Sequence, residues 1–296
     1  MKYSTLNILK GLGSCIAAAL LAISCKKDGN PNKLPPVSPG DYDGKIDGFT
    51  SSDEVYPQRL IAYWSFDDTK NELKTNTAPT LTSNDAIIEG GVKGKALSLT
   101  GGYLYFAKQF DAFKIDALKS WSISVWVKIK NNGSKRTMLL QLAKKDSTVT
   151  GNINFTLNTQ SYAATNDSIL RINPTFRTIG GGTQDNANTV LEKANLNGWN
   201  HIVLTYEAAT GVFNNWLNGV KVGNFPNRGT GTSTFLSREP NEFIIGSNYN
   251  GIPGKVAGSD AAVAPMTGTI DELKIFNISI GEDVVKAMYK LGLAGK

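Results

Sequence analysis

From about residue 58 onward, short runs of alternating apolar and polar residues recur along the chain, each bounded by Gly, Asn or Asp. A period of two marks half-buried strands. The clearest runs are 60–67, 96–99, 103–107, 121–129, 137–142, 153–157, 199–206, 212–217, 243–245 and 268–276. In 121–129, Trp121, Ile123, Val125, Val127 and Ile129 share one face, while Ser122, Ser124, Trp126 and Lys128 share the other, so the first face belongs to a core. Asn218-Gly219, between the runs 213–217 and 220–222, predicts a type I′ hairpin because both residues tolerate positive φ. A helical period occurs only near the C-terminus, where Val284, Val285, Met288 and Leu291 follow Gly281-Glu282-Asp283. That helix is too short to stand alone and is expected to dock on the strands. With no helices between strands to cover a parallel sheet, the expected fold is all-β. Two antiparallel sheets packed face to face, in a jelly roll of about 240 residues with one short C-terminal helix, satisfy the pattern.

The first 57 residues break this pattern. Lys2 and Lys10 precede an apolar stretch from Leu12 to Ile23, followed by Ser24-Cys25. Twelve apolar residues fall short of the roughly 20 that span a bilayer, so residues 1–24 are expected to be a secretory leader. Leu21-Ala22-Ile23-Ser24-Cys25 resembles a bacterial lipobox, with Ala22 where Leu is most usual; the resemblance implies acylation of Cys25. Several acyl chains there would hold the protein on a membrane, since each buried methylene contributes about 0.8 kcal/mol. The start Cys25-Lys26-Lys27-Asp28 is similar to lipoproteins of the Bacteroidetes type that are directed to the cell surface, and the localisation implied is the outer membrane of a bacterium. Residues 25–57, polar and broken by Pro31, Pro35, Pro36, Pro39 and Pro57, read as a flexible tether, leaving 58–296 as the domain.

Composition narrows the chemistry. The chain has 296 residues, two Cys and one His, which excludes a disulfide scaffold, zinc-ribbon clusters and His-rich metal sites. Any Ser-His or Cys-His catalysis would rest on His201 alone. The 31 basic side chains, less Lys2 and Lys10 of the leader, leave 29 against 25 acidic ones. They are spread along strands and turns without a basic-aromatic run, which argues against nucleic acid as a partner. Gly180-Gly181-Gly182 lacks the Lys-Ser/Thr pair of a phosphate loop.

Four segments together resemble the laminin-G-like, concanavalin A-like lectin/glucanase jelly-roll family. They are Leu60 to Asp68; Trp121 to Lys128; Gly198 to Tyr206 with Trp216-Leu217-Asn218-Gly219; and Gly268 to Asn277. Trp64, Trp121, Trp126, Trp199 and Trp216 fall on framework positions of that pattern and are expected to pack in or near the core. Trp126 is the candidate exception, since its neighbours Ser122, Ser124 and Lys128 would line an open sheet face where a ring can stack on sugar. The resemblance also implies a structural calcium site near the chain ends, with Asp67 and Asp271 as its candidates; alternatively, Asp271-Glu272 accepts hydrogen bonds from turn amides.

The function expected is a non-catalytic, cell-surface binding module for polysaccharide or glycoprotein glycans. An adhesion role toward another surface protein is the alternative, and a glycoside hydrolase or lyase the third. Glucanases of this fold carry a Glu-x-Asp-x-x-Glu strand, whereas Asp271-Glu272 places adjacent carboxylates on opposite faces. The polar, Gly-rich loops 158–165, 180–188 and 248–265 are where binding is expected to concentrate.

Overall fold

The computed structural model describes residues 44–133, 135–145, 150–158, 163–186, 192–255 and 261–296. The expected leader, Cys25 and most of the expected tether lie outside them. The strands are β1 (Leu60–Trp64), β2 (Leu81–Glu89), β3 (Lys95–Phe106), β4 (Trp121–Ile129), β5 (Arg136–Lys144), β6 (Ile153–Asn158), β7 (Ile169–Arg177) and β8 (Thr183–Asp185). They continue with β9 (Glu192–Lys193), β10 (Asn200–Glu207), β11 (Val212–Leu217), β12 (Val220–Phe225), β13 (Asn241–Ile245), β14 (Val263–Ala264) and β15 (Met266–Phe276), and helix α1 (Glu282–Leu293) closes the chain. Asn218 and Gly219 have φ of 52° and 78°, as the type I′ turn between β11 and β12 requires.

The two expected layers are joined by hydrogen bonds into one curled sheet of order β12-β11-β10-β4-β15-β3-β13-β5-β6-β7-β8. Every named ladder is antiparallel except the short β14–β5 pair. Strand β15 is the seam. It pairs with β4 along one edge, while its other edge pairs first with β3 and then with β1. The curl brings the two halves face to face, so that Trp121 and Ile123 of β4 and Ile275 of β15 surround the same small apolar space as Leu140, Leu142 and Ile153 of β5 and β6. Phe176 of β7 stacks on Phe213 of β11 at 5.6 Å, and Trp64 of β1 on Phe243 of β13 at 5.0 Å. The core is therefore made of the inward faces of both halves, the alternation seen in the sequence.

The outer face of β10, β4 and β15 is covered by α1. Val285, Met288 and Leu291 pack on Val203, Trp216 and Phe276, and Ile46, Phe49 and Val55 join the same cluster. This corrects the tether boundary. Residues 45–57 belong to the body, because three apolar side chains in that stretch find a covered surface beside the helix, and Ser52 N–H donates to the Lys296 carbonyl. The helix sits so close that a Cβ on Gly292 would lie 2.2 Å from Cζ2 of Trp126. Two effects of Gly292→Ala oppose each other: Ala favours a helix by about 1 kcal/mol over Gly, and overpacking a tight contact costs about 1–3 kcal/mol. The rigid indole makes the second larger. Gly292→Ala is expected to lower the melting temperature in a calorimetric scan; a rise would show that the helix is not seated on Trp126.

Candidate binding groove

The outer face of the other half has a different character. Successive residues of β6 alternate strictly, with Ile153, Phe155 and Leu157 in the core and Asn154, Thr156 and Asn158 facing outward. In β7, Leu170, Ile172 and Phe176 point inward and Arg171, Asn173 and Thr175 outward. Pairing aligns the outward residues in three rows across the strands. Gln141, Asn154, Thr175 and Asp185 form one row, Met138, Thr156 and Asn173 the next, and Arg136, Asn158 and Arg171 the third. Arg136, Met138, Asn154, Thr156, Thr175 and Asp185 line an open groove of about 280 Å³, with Thr150, Thr183 and Val263 on its rim. The rim belongs in part to the segments 180–188 and 248–265 named from the sequence.

Part of this polar face is locked. Gln141 donates to Asn154 Oδ1 at 2.6 Å and Asn154 Nδ2 donates to Thr175 Oγ1 at 2.9 Å, while the Tyr249 amide donates to Gln141 Oε1 at 2.7 Å. Buried amides held in this way present fixed donors and acceptors. Asn173 differs: it is 6% exposed, and its Nδ2 is buried without a hydrogen-bond partner. No motif in the sequence marks this face; its signal is the alternation of Asn, Thr and Arg with inward apolar residues in 153–158 and 169–177.

The residues singled out from the sequence lie elsewhere. Trp126 is only 4% exposed, with its ring beside those of His201 at 4.9 Å and Tyr289 of α1 at 5.7 Å. The expectation of an open face there is corrected: the C-terminal helix occupies it. His201 is buried too, with Nε2 2.8 Å from Ser124 Oγ; burial, aided by the Lys274 charge, pushes its pKa down to about 3 and keeps the ring neutral. Trp64, Trp121 and Trp216 are buried as expected, but Trp199 is only partly covered, with the Lys128 ammonium 4.5 Å from its ring centre.

Asp67 and Asp271 do converge, from opposite ends of the domain, on the turn between β2 and β3. Asp271 Oδ2 accepts the amides of Val92 and Lys93 at 2.6 and 3.1 Å, Asp271 Oδ1 accepts the Glu272 amide, and Asp67 Oδ1 accepts the Lys95 amide at 2.9 Å. Burial raises the Asp271 carboxyl to about 7 against the pull of those amides. Beside it, Lys274 and Lys93 neutralise Glu272 and Asp53, and among the described residues no three His, Cys, Asp or Glu side chains are grouped so as to hold a metal ion. Calcium takes six to eight oxygens. These residues do not fit that shell; they form a staple that ties the β2–β3 turn to the bulge at Asp271-Glu272 in β15.

The sequence matches the family model described as the concanavalin A-like lectin/glucanases superfamily over residues 100–286, and the chain belongs to that superfamily. No curated protein matches it. Among solved structures, it is similar to domain 4 of AbnA, a GH43 extracellular arabinanase from Geobacillus stearothermophilus, in complex with arabinotriose. That likeness has 20% identity and a TM-score of 0.51, covering 78% of this chain and 98% of that one. The binding domain of Paraclostridial Mosquitocidal Protein 1 (14% identity, TM-score 0.51) and the receptor-binding domain of botulinum neurotoxin mosaic serotype C/D (10%, 0.52) each match over 78% of this chain. The chain spans about half the length of these two, 52% and 50% respectively. At these identities the likeness is one of fold.

Removing the staple gives a direct test. Asp271→Ala strands three amides that lose their acceptor, at about 1–3 kcal/mol for each one left buried, and is expected to lower the melting temperature markedly. Millimolar calcium is expected to leave the melting temperature of the unaltered chain where it is. A calcium-dependent rise that Asp271→Ala abolishes would restore the metal reading.

Proposed function

We propose that the protein is a non-catalytic carbohydrate-binding module held on the outer membrane by a lipid at Cys25, with the groove over β5, β6, β7 and β8 as its glycan site. The observation that carries this reading is the composition of the groove. Amide, hydroxyl and guanidinium groups on a rigid sheet face, with Met138 as an apolar patch, suit the hydroxyl-rich surface of a sugar. Hydrolysis by paired carboxyls needs two of them across one bond; among the described groove residues Asp185 is the lone carboxylate. The AbnA domain, matched over 98% of its length and seen in complex with arabinotriose, supplies a precedent for glycan binding on this fold.

Residues 45–55 pack beside α1 on the outer face of the first half, and the groove lies on the outer face of the second.

Two measurements test the reading. Thr156→Trp, which fills the groove floor, is expected to abolish glycan-array binding of the full-length chain while its circular dichroism spectrum is unchanged; silence of the unaltered chain across neutral and acidic glycans would instead favour the protein-adhesion alternative. Mass spectrometry of the mature chain is expected to find an acylated Cys25 at its N-terminus, and an intact leader with a free thiol would remove the anchor.

A further inference from the structure

The rows of the groove are unequal in charge. Asp185 stands in the first row, beside Thr175, whereas Arg136 and Arg171 stand in the third row on either side of Asn158. Neighbouring strands are about 4.8 Å apart, which places the two arginine backbones about 10 Å from each other. Rows two residues apart along a strand are separated by about 7 Å, so the carboxylate lies two rows from the basic end.

Arg136 is the informative member. It lines the groove, its Nε is buried without a hydrogen-bond partner, and no carboxylate of the described residues forms an ion pair with it. In the adjoining row, Asn173 Nδ2 is a second buried donor without a partner. Leaving such groups unsatisfied costs stability, and a buried donor of this kind calls for a partner. Two donors without acceptors, one of them cationic, define a ligand that brings oxygen atoms and negative charge. A guanidinium presents a planar fork that matches a carboxylate with two parallel hydrogen bonds.

We propose that the groove selects anionic glycans, with Arg136 pairing the carboxylate of a uronate residue. This rests on the carbohydrate reading above and adds the class of sugar. A sulfate ester offers the same anionic oxygens, and the test separates the two sources.

The experiment is calorimetric titration of the full-length chain in detergent with oligogalacturonates, with their carboxyl-reduced neutral counterparts and with dextran sulfate, at low and high salt. Oligogalacturonates are expected to bind most tightly, and to weaken as salt screens the pair. The reduced sugars are expected to bind roughly tenfold more weakly or worse, the scale of losing a charge-assisted contact. Arg136→Gln should abolish the difference between acidic and neutral sugars, and Arg136→Lys should restore it only in part. Asn173→Asp, which places a carboxylate in the adjoining row, should weaken oligogalacturonate binding independently of Arg136. Equal binding of acidic and reduced sugars would overturn the anionic selectivity and leave the glycan reading intact. Tighter binding of dextran sulfate would overturn the uronate assignment. Absence of binding to all three would overturn this inference together with the reading it rests on.

Discussion

Phe176 of β7 and Phe213 of β11 stack at 5.6 Å although seven strands separate them in the sheet order, a contact that exists only because the sheet curls back on itself. The apolar layer trapped by that curl is the constraint on which the rest depends. Each fully buried Phe, Leu or Ile contributes about 1.5–3 kcal/mol, and alternation then forces every second residue of the same strands outward. The outer faces must be covered or be polar, and this protein does both. On β10, β4 and β15 the answer is α1, whose Val285, Met288 and Leu291 close an apolar surface. On β3 and β13, Tyr249 and Ile252 lie over Tyr105 and Ile244. On β6 and β7 it is rows of Asn, Thr and Arg, which leave a groove that other molecules can reach.

The polar interior of the first half serves the seam. At the bulge in β15, Asp271 turns to the β2–β3 turn, while Glu272 accepts from Tyr63 Oη at 2.6 Å and pairs with the buried Lys274 at 2.8 Å. Lys274 also reaches Ser52 and Asp53, and Asp53 is held down at about 2 by Lys274 and Lys93 despite partial burial, which opposes that shift. The charges join the N-terminal segment, the seam strand and the turn into one unit. Their placement beneath α1 explains why His201 and Ser124, though in hydrogen-bond contact, are packing residues with no room for a substrate: the space beside them is about 10 Å³.

Much of the fold was legible because alternation is local. Runs such as 121–129 and 212–217 became strands with the same bounds, and the C-terminal helix and Asn218-Gly219 turn fell where their residues predict. The strand β7 was not picked out, because Pro174 interrupts a run that otherwise alternates Leu170, Ile172 and Phe176 with Arg171, Asn173 and Thr175. Likewise, Ile46, Phe49 and Val55 are isolated apolar residues in a polar stretch, and only the folded chain shows the surface they share. The face carrying Trp126 was readable, but its cover was not, since Tyr289 and Gly292 lie far along the sequence. The candidate groove escaped notice for a similar reason. No motif marks it, and its rows exist only once β5, β6, β7 and β8 are in register.

The central claim is that this register creates the binding surface, and side-chain amide resonances report on it most directly. In ¹H–¹⁵N spectra of the protein titrated with glycan, the amides of Asn154, Asn158 and Asn173 should move together while the Trp199 and Trp126 indoles stay in place. Perturbation confined to the Trp199 end of the sandwich, with those three amides unmoved, would contradict the account.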